Sequence, residues 1–420
     1  MKTKRIGTVK NINTTLAVPG SKSLTNRALP IAALADGHSE IQNALFSEDT
    51  EHMAKALNLI GAQVKKTCSS FHVQGLGGTF RSTNEILFTG NSGTTMRFLV
   101  PLLNLGKNTY HLDGSSRMRE RPIRDLLLAL EQIGGHTQCT LHDGFPPLLV
   151  KANGLKGGIA QLKGSVSSQF LTALLLSSPY ARDDVVIEIK GTLVSRPYID
   201  LTIRIMRDFG VDIHQKEHKY FVPAGQRYKP TTYKIEGDAS SATYFFAAAA
   251  ITGGRVRVTN LSSSSIQGDT GFVDLLEKMG CQIKRTSDWI EVTGCPLNGI
   301  EVDLNTMPDT VQTLAVTALF AKGKTSIRNV ANLRFKETDR LLALETELRK
   351  LGAKVRAFDD GLEIEPTSRL CPAQISTYND HRMAMSFAIA GLVLDGIIIE
   401  DPDCVAKSFP GFWEKLNGMY

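Results

Sequence analysis

The sequence predicts an α/β protein built from six similar units of roughly seventy residues. Three observations support this prediction: the length of 420 residues, and two series of helical segments that recur in step along the chain. That length exceeds the ~100–200 residues of an ordinary domain, so two or three domains are expected. Hydrophobic residues form 42% and charged residues 21% of the chain, which is typical of a globular protein.

The first series consists of amphipathic helices that end at a glycine followed by a short strand. Their apolar residues recur with the period of one helix face, as Met53, Ala56, Leu57 and Ile60 do. Glycine closes such helices because it adopts the left-handed conformation without a steric penalty. A degenerate sixth copy lies at Gly418. The other five glycines are 70 to 76 residues apart: Gly61, Gly134, Gly210, Gly280 and Gly352.

The second series consists of helices that begin with a polar residue and are apolar nearly all round. Such helices are expected to lie inside a domain. A short β-rich segment such as RVRVTNL follows each one. The two series together predict repeats of strand, helix, strand, helix and two further strands, and a solenoid of stacked repeats is the alternative that this period allows. The helices begin near Ser21, Ser92, Ser167, Ser240, Asp309 and Asp380.

Several of these helix starts also carry a cation. Lys22 and Arg27 follow the first start, Arg97 follows the second and Arg382 follows the sixth. Capping of free backbone N–H groups explains the polar residues in part. A Lys or Arg at a helix start opposes the helix dipole, however, and is understandable if an anion lies beside it. The pattern therefore indicates helix ends that converge on one polyanionic site between two domains.

Charge, cysteine spacing and hydropathy narrow the class of protein. The net charge of +6 suits anionic ligands. The chain lacks a run of five or six basic residues, which a nucleic-acid-binding protein would normally show. None of the six cysteines has C-x-x-C spacing, so a zinc or dithiol site is not expected and reduced cytosolic thiols are the default. The sequence contains no evident site for a metal or an organic cofactor. Neither a signal-peptide core nor an apolar stretch of about 18 residues is present, so a cytoplasmic protein without membrane partners is expected.

Ten short motifs, in order along nearly the whole chain, resemble those of the EPSP synthase family of enolpyruvyl transferases. One Ser/Gly-rich match would be weak, whereas ten in order at matching spacing are specific. The motifs are PGSKSLTNRAL at 19–29, NSGTTMR at 91–97, RMRERPI at 117–123, GSVSSQF at 164–170, SRPY at 195–198, GDASSA at 237–242, PDT at 308–310, NLRFKETDR at 332–340, YNDHRMAM at 378–385 and AKSFP at 406–410.

The resemblance implies a two-domain inside-out α/β barrel with three βαβαββ units per domain. Residues 21–235 would form the N-terminal domain on the shikimate 3-phosphate side. Residues 1–20 and 236–420 would form the C-terminal domain, with the active site in the interdomain cleft, which closes when substrate binds. The implied protein is a monomer.

The resemblance also implies the reaction. Members of the family transfer the enolpyruvyl group of phosphoenolpyruvate to the 5-hydroxyl of shikimate 3-phosphate, in the shikimate pathway to chorismate and the aromatic amino acids. This chemistry needs a base, an acid and many donors for two phosphates and two carboxylates. The substrates bring roughly −5 to −6 charges, which seven cations in the motifs would balance: Lys22, Arg27, Arg121, Lys336, Arg340, Arg382 and Lys407.

Residue roles follow from the matched motifs. Shikimate 3-phosphate is expected to contact Lys22, Ser23, Arg27, Ser167, Ser168, Ser195, Tyr198, Asp309, Asn332 and Lys336. Phosphoenolpyruvate is expected to contact Lys22, Gly93, Arg121, Gln169, Arg340, Arg382 and Lys407.

Two catalytic roles have competing interpretations. Asp309 is the candidate base for the 5-hydroxyl, although alone it could be only a helix cap. Glu337 is the candidate acid toward C3 of phosphoenolpyruvate, with Lys22 as the competing assignment. Alone, Glu337 and Arg340 could form a solvated i,i+3 salt bridge. Nearby cations oppose the raised pKa that an acid requires.

The chain departs from the family pattern at one residue, Phe98. Phe98 replaces a proline that usually follows the NSGTTMR motif, and this could shift the helix that begins at Gly93. Glyphosate is still expected to inhibit, because Gly93 leaves room beside phosphoenolpyruvate.

UDP-N-acetylglucosamine enolpyruvyl transferases carry a reactive cysteine in the loop at 113–122, and this chain has none there. Nucleic-acid binding has only the pI of about 8.9 in its favour.

Overall fold

The computed structural model describes residues 2–10 and 12–419. The chain forms two compact units. The continuous unit is Gly20–Ile235, and the discontinuous unit combines the residues up to Pro19 with those from Glu236 onward. The described residues contain twelve α-helices: α1 (Lys22–Leu34), α2 (Glu48–Leu59), α3 (Gly93–Asn104), α4 (Arg124–Gln132), α5 (Ser168–Ser177), α6 (Pro197–Asp208), α7 (Ala239–Thr252), α8 (Phe272–Met279), α9 (Val311–Thr317), α10 (Arg340–Lys350), α11 (His381–Gly391) and α12 (Phe412–Asn417).

Short strands alternate with these helices. The first fourteen are β1 (Thr3–Arg5), β2 (Asn13–Leu16), β3 (His38–Gln42), β4 (Gln63–Lys66), β5 (Ser70–Gln74), β6 (Leu87–Phe88), β7 (Thr109–Asp113), β8 (Thr137–Cys139), β9 (Leu148–Lys151), β10 (Gly158–Lys163), β11 (Val185–Lys190), β12 (His214–Lys216), β13 (Lys219–Val222) and β14 (Thr232–Lys234). The rest are β15 (Arg255–Val258), β16 (Gln282–Arg285), β17 (Ile290–Thr293), β18 (Leu297–Asn298), β19 (Glu301–Asp303), β20 (Ala321–Lys322), β21 (Thr325–Arg328), β22 (Lys354–Phe358), β23 (Gly361–Glu365), β24 (Gln374–Ile375) and β25 (Ile398–Glu400).

Each repeat in the continuous unit forms one four-stranded sheet. Two sheets use consecutive strands, in the orders β6-β7-β9-β8 and β10-β11-β13-β12. In both, the first two strands run parallel and the other pairs are antiparallel. The first repeat lacks its own leading strand, and β14 supplies one by pairing parallel with β3, Thr232 opposite Glu40. The first and last segments of this unit therefore share a sheet.

The discontinuous unit repeats this design with strands from both parts of the chain. Strand β2 pairs parallel with β15, Asn13 opposite Arg255, in the sheet β16-β17-β15-β2. The next repeat forms the sheet β19-β21-β23-β22. The last repeat is shortened to β1-β25-β24, where β1 runs antiparallel to β25. A small parallel pair, β18 and β20, accompanies them.

Burial separates inner helices from outer sheets. The inner helices α1, α3, α5, α7, α9 and α11 are buried along almost their whole length. Strands such as β11 alternate buried and more exposed residues, so one sheet face covers the core. The predicted inside-out α/β arrangement is confirmed. In residues 2–10 and 12–419 the sheets are separate ladders and do not close into a hydrogen-bonded barrel, and division into two compact units is not that of a single solenoid.

The predicted helix ends are confirmed by backbone geometry. The five glycines of the first series all have positive φ, between 84° at Gly210 and 123° at Gly280. Gly418 differs, with a φ of −69°. Ser21, Ser92, Ser167 and Asp380 occupy the predicted N-cap positions.

Two helices begin near the predicted residue but have another residue at the N-cap position. Helix α7 begins at Ala239, and its cap is Asp238, whose Oδ1 accepts from Ser241 N at 2.6 Å, so Ser240 lies inside the first turn. Helix α9 has Thr310 at its N-cap position, after the 3-10 turn Pro308–Thr310. Asp309 is therefore not the cap of α9, and its carboxylate is available for other contacts.

Candidate active site

Each unit carries its own set of predicted site residues, most of them at the first turns of helices. In the continuous unit, Lys22, Gly93 and Ser168 are the first residues of α1, α3 and α5. In the discontinuous unit, Arg340 is the first residue of α10 and Arg382 the second of α11. Free backbone N–H groups at these positions add to the attraction for anions.

Arg27 is a buried cation surrounded by neutral groups. It is 1% exposed, and its guanidinium donates to Thr202 Oγ1 at 2.8 Å, Ser23 O at 2.9 Å and Tyr198 O at 3.2 Å. Burial lowers its pKa to about 10, so it stays charged at neutral pH. In the described part of the chain Arg27 forms no ion pair with a carboxylate. A buried cation of this kind is well suited to an anionic ligand.

The residue at the substituted family position lies against this arginine. Phe98 is 1% exposed, and its ring centroid is 5.5 Å from Arg27 Cζ, a cation–π distance. The side chain therefore contacts the cation expected to hold shikimate 3-phosphate.

Lys22 already has an acidic partner. Its Nζ lies 3.3 Å from Asp49 Oδ2, and the carboxylate side chain is only 5% exposed. Asn26, one turn further along α1, donates to Thr94 Oγ1 at 3.1 Å and so joins the starts of α1 and α3. The first turns of two repeats are thus linked through side chains.

Two guanidinium groups flank Gly93. Arg97 Nη1 donates to Gln169 Oε1 at 2.5 Å, and Arg121 Nη1 donates to Asn91 O at 3.1 Å. A Cβ added at Gly93 would lie 2.7 Å from Arg121 Nη2 and 2.8 Å from Arg97 Nη1. The close approach of both cations therefore depends on glycine here. The structure brings three predicted phosphoenolpyruvate residues together: Gly93, Arg121 and Gln169.

The predicted serines occupy a helix start and a turn of the continuous unit. Ser167 caps α5, accepting from Gln169 N at 3.2 Å, so the capping role considered for it is real. Ser168 begins the helix and is buried. Ser195 is 3% exposed with a φ of 56°, an uncommon conformation for a residue with a side chain. Tyr198 lies three residues later, its ring centroid 6.0 Å from Arg27 Cζ.

Asp309 is the centre of the charged cluster in the discontinuous unit. Its Oδ1 accepts from Arg340 Nη1 at 3.1 Å and its Oδ2 from Arg382 Nη2 at 2.9 Å. Lys336 Nζ lies 3.7 Å from Oδ1. Three predicted substrate-binding cations therefore surround the predicted base, and the side chain is still 19% exposed. A carboxylate so held keeps its orientation while part of it stays accessible.

Glu337 lies beside the same arginine. Its Oε2 accepts from Arg340 Nη2 at 3.0 Å, and Lys407 Nζ is 4.0 Å from Oε1. The Glu337 and Arg340 side chains are 9% and 1% exposed. The i,i+3 pair exists as the sequence suggested, but it is buried rather than solvated. The alternative of a surface salt bridge is therefore wrong.

Asp380 completes the environment of Arg340. Its Oδ2 accepts from Arg340 Nε at 2.7 Å and its Oδ1 from Arg382 N at 2.9 Å, which caps α11. Burial alone would lower the pKa of Arg340, but Asp380, Glu337 and Asp309 outweigh it and hold that pKa above its ordinary value. Arg340 is a permanent cation in this cluster.

Asp269 is a fourth acid of the cluster. It is 4% exposed and accepts a short hydrogen bond from Ser240 Oγ. Burial, reinforced by the charge of Asp309, raises the pKa of Asp269 to about 6. One carboxyl near Asp309 therefore titrates close to neutral pH.

Pairing with acids changes the expected charge balance. Of the seven predicted cations, Lys22, Lys336, Arg340, Arg382 and Lys407 all lie within 4.0 Å of a carboxylate oxygen. The simple count of seven positive charges is therefore wrong as a measure of the charge available to substrates. Asn332 stands apart from these ion pairs, buried in the 3-10 helix Ala331–Phe335 with its Oδ1 unpaired in the described residues.

Sequence reasoning assigned no site role to four residues of these clusters. Arg97 was recognisable as a cation at a helix start, and Asp380 as a polar helix start. Asp49 and Asp269 gave no signal, because their burial beside Lys22 and Asp309 arises from tertiary packing. Among the described residues, no group of three or more His, Cys, Asp or Glu side chains is arranged to hold a metal ion. Nor does any described helix combine the length and apolar character needed to cross a membrane.

Comparison with known proteins gives a consistent result. A profile of the EPSP synthase (3-phosphoshikimate 1-carboxyvinyltransferase) family matches residues 6–416. The 3-phosphoshikimate 1-carboxyvinyltransferase of Nostoc punctiforme is 50% identical over 412 residues, covering 97% of this chain and 96% of the relative. That of a Sulfurovum species is 48% identical and covers 98% and 97%.

A solved structure agrees with the sequence relatives. EPSP synthase from Acinetobacter baumannii superposes with a TM-score of 0.83 at 27% identity, covering 99% of this chain and 98% of that one. Fold, charged clusters and relatives together define the class as enolpyruvyl (carboxyvinyl) transferases. Within that class, the chain belongs to the EPSP synthase family.

Proposed function

We propose that this chain transfers the enolpyruvyl group of phosphoenolpyruvate to the 5-hydroxyl of shikimate 3-phosphate and releases phosphate, a step of the shikimate pathway to chorismate and the aromatic amino acids. The observation that carries the proposal is the arrangement at Asp309. A partly exposed carboxylate, held by Arg340 and Arg382, combines a proton acceptor with two donors for anionic substrates. Family membership across residues 6–416 supports the choice of substrates.

In the proposed reaction, Asp309 accepts the 5-hydroxyl proton as the oxygen attacks C2 of phosphoenolpyruvate. C3 takes up a proton from Glu337, or from Lys22 in the competing assignment, and a tetrahedral intermediate forms. Loss of phosphate and of a C3 proton then regenerates the enol ether. Buried cations around the reacting groups stabilise the charges more strongly than they would in water.

Substrate contacts are assigned as the family motifs suggest. Most residues assigned to shikimate 3-phosphate belong to the continuous unit, and those assigned to phosphoenolpyruvate are divided between the two units. We take the two compact units as the two domains of the family, with boundaries near residues 20 and 236. The shikimate 3-phosphate contacts are Lys22, Ser23, Arg27, Ser167, Ser168, Ser195, Tyr198, Asp309, Asn332 and Lys336. The phosphoenolpyruvate contacts are Lys22, Gly93, Arg121, Gln169, Arg340, Arg382 and Lys407.

The proposed enzyme is a cytoplasmic monomer that uses no metal or organic cofactor and binds no nucleic acid. All six cysteines, each within the described residues, are free thiols, which supports a reducing compartment. The scattered distribution of basic residues supports small anionic substrates.

A phosphate-release assay tests the proposed function. Purified protein is mixed with phosphoenolpyruvate and either shikimate 3-phosphate or UDP-N-acetylglucosamine. Release is expected only with shikimate 3-phosphate, and mass spectrometry should show the product heavier by one enolpyruvyl group. Release with the UDP sugar alone would overturn the choice of acceptor. Retention on immobilised RNA that weakens steeply with salt would instead favour nucleic-acid binding.

A further inference from the structure

The segment leading into α11 has an unusual backbone. Tyr378 and Asn379 are consecutive non-glycine residues with φ of 55° and 54°. Tyrosine rarely adopts this region, and such a conformation persists only where the surroundings fix it. Asp380 follows immediately, so the geometry of residues 376–380 determines where its carboxylate lies.

Glu347 anchors this segment from α10. It is fully buried at 0% exposure, and its Oε1 accepts from the Tyr378 hydroxyl at 2.7 Å. Its Oε2 accepts from Ser376 N at 3.1 Å and from Lys350 Nζ at 2.7 Å. A buried carboxylate is tolerated where hydrogen bonds and a counter-charge compensate its lost hydration, and here both are present.

Helix α10 therefore holds residues 376–380 at two places. At its first residue, Arg340 Nε donates to Asp380 Oδ2 at 2.7 Å. Seven residues later, and about 10 Å further along the helix axis, Glu347 holds Tyr378 and Ser376. Two attachments this far apart fix both the position and the direction of the segment. Asp380 then caps α11 through Arg382 N.

We propose that Glu347 and Tyr378 are positioning residues that set the Arg340–Asp380–Arg382 arrangement for phosphoenolpyruvate, an inference that rests on the function proposed above. Glu347 fixes Tyr378, the backbone after Tyr378 fixes Asp380, and Asp380 fixes both Arg340 and the first turn of α11. Burial and the bond to Glu347 hold the pKa of Tyr378 above its ordinary value, so its hydroxyl stays a donor near neutral pH.

The variant Tyr378→Phe tests this role because it removes only the hydroxyl. The KM for phosphoenolpyruvate should rise roughly tenfold, the size expected for one hydrogen bond to a charged group. We expect kcat to fall by a smaller factor than the KM rises, because Asp309 and Glu337 are retained but are oriented in part by Arg340 and Arg382. The dissociation constant of shikimate 3-phosphate alone, measured by calorimetry, should be unchanged. Glu347→Gln should raise the same KM at least as much, because its amide N–H would face Lys350 or Ser376 N.

A matched control is Tyr180→Phe in the continuous unit. Tyr180 is partly buried, whereas Tyr378 is 41% exposed, and the Tyr180 hydroxyl donates to Leu34 O at 2.6 Å as that of Tyr378 donates to Glu347. This variant should leave the KM for phosphoenolpyruvate unchanged. An unaltered KM in Tyr378→Phe, or equal weakening of both substrates, would overturn the positioning role. If the wild type itself releases no phosphate, the proposed function fails and this inference fails with it.

Discussion

Asp309 Oδ2 accepts a hydrogen bond from Arg382 Nη2 at 2.9 Å, and the two residues are 73 positions apart, which is one repeat. Successive repeats thus place the carboxylate and the guanidinium of one ion pair near the starts of their inner helices. The pairing shows why Asp309 does not serve as a helix cap. Its two oxygens are oriented by Arg340 and Arg382 instead.

Replacing Asp309 with alanine should leave the fold intact and remove most turnover. The N-cap position of α9 is Thr310, so the helix loses no cap. Loss of a general base lowers rates by about 10²–10⁴-fold. Phosphate release measures turnover, and circular dichroism with the thermal midpoint of unfolding measures whether the fold is intact. Asp395→Ala, which removes an exposed carboxylate paired with Arg5, is the control with unchanged turnover. Near-normal activity of Asp309→Ala would contradict the assignment as base.

The proton donor to C3 can be identified by isotope exchange. In D2O with shikimate 3-phosphate present, reversible addition of its 5-hydroxyl should carry deuterium into the vinyl group of phosphoenolpyruvate, which NMR detects. Glu337→Gln should slow this exchange by at least about a hundredfold. Lys22→Met should mainly weaken substrate binding, because Lys22 is a cation paired with Asp49. Exchange that survives in Glu337→Gln and disappears in Lys22→Met would assign the acid to Lys22.

Glyphosate should inhibit the enzyme in competition with phosphoenolpyruvate, and Gly93→Ala should weaken both ligands. The added methyl would be 2.7 Å from Arg121 Nη2 and 2.8 Å from Arg97 Nη1, so these cations must move. Steady-state kinetics should show a KM for phosphoenolpyruvate and a glyphosate inhibition constant each raised about tenfold or more. Gly418→Ala is the control, since its nearest contact would be 3.5 Å. Wild-type turnover that persists at high glyphosate would refute the expectation, and Phe98 would be the next residue to replace.

The carboxyl of Asp269 should make stability depend on pH between about 4 and 6. Its pKa in the folded protein is about 6, above the ~3.9 of an unfolded aspartate. The folded state therefore binds the proton more tightly, and this contribution is fully present below pH ~3.9 and lost as pH rises through about 6.

Asp269→Asn should remove this dependence, because the amide stays neutral and its oxygen can still accept from Ser240. Relative to wild type, the variant should gain about 2 kcal/mol of unfolding free energy between pH 4 and pH 7. Urea denaturation of both proteins across this range measures the difference. A constant difference at all pH values would show that Asp269 titrates normally.

Local patterns predicted much of the fold. The helix ends at Gly61 and Gly352 could be predicted from the local sequence, because a positive φ at a helix end favours glycine regardless of the tertiary contacts that follow. The burial of inner helices such as α7 could also be predicted, because such a helix has no polar face. The exchange of β14 into the first sheet gave no such signal, since strand pairing over this distance is decided by tertiary packing rather than by local sequence.

Some residues of the candidate site could be predicted from the sequence, and others could not. Motifs identified Arg340, Arg382 and Asp309, which the structure brings into one cluster. They did not identify Glu347, which reads as one polar residue of an amphipathic helix and is nevertheless fully buried. Its importance depends on the left-handed backbone at Tyr378, which only three-dimensional structure reveals.

Strands β1 and β2 are synthesised long before their partners. Asn13 pairs with Arg255, 242 residues further on, and Thr3 with Glu400. At ~5–20 residues per second, on the order of ten to fifty seconds separate Asn13 from Arg255 on the ribosome. All strands of the continuous unit lie between residues 38 and 234, so its pairing is complete first. Deleting residues 2–16 should therefore disrupt the unit that is assembled last, although most of that unit is encoded by the other half of the chain.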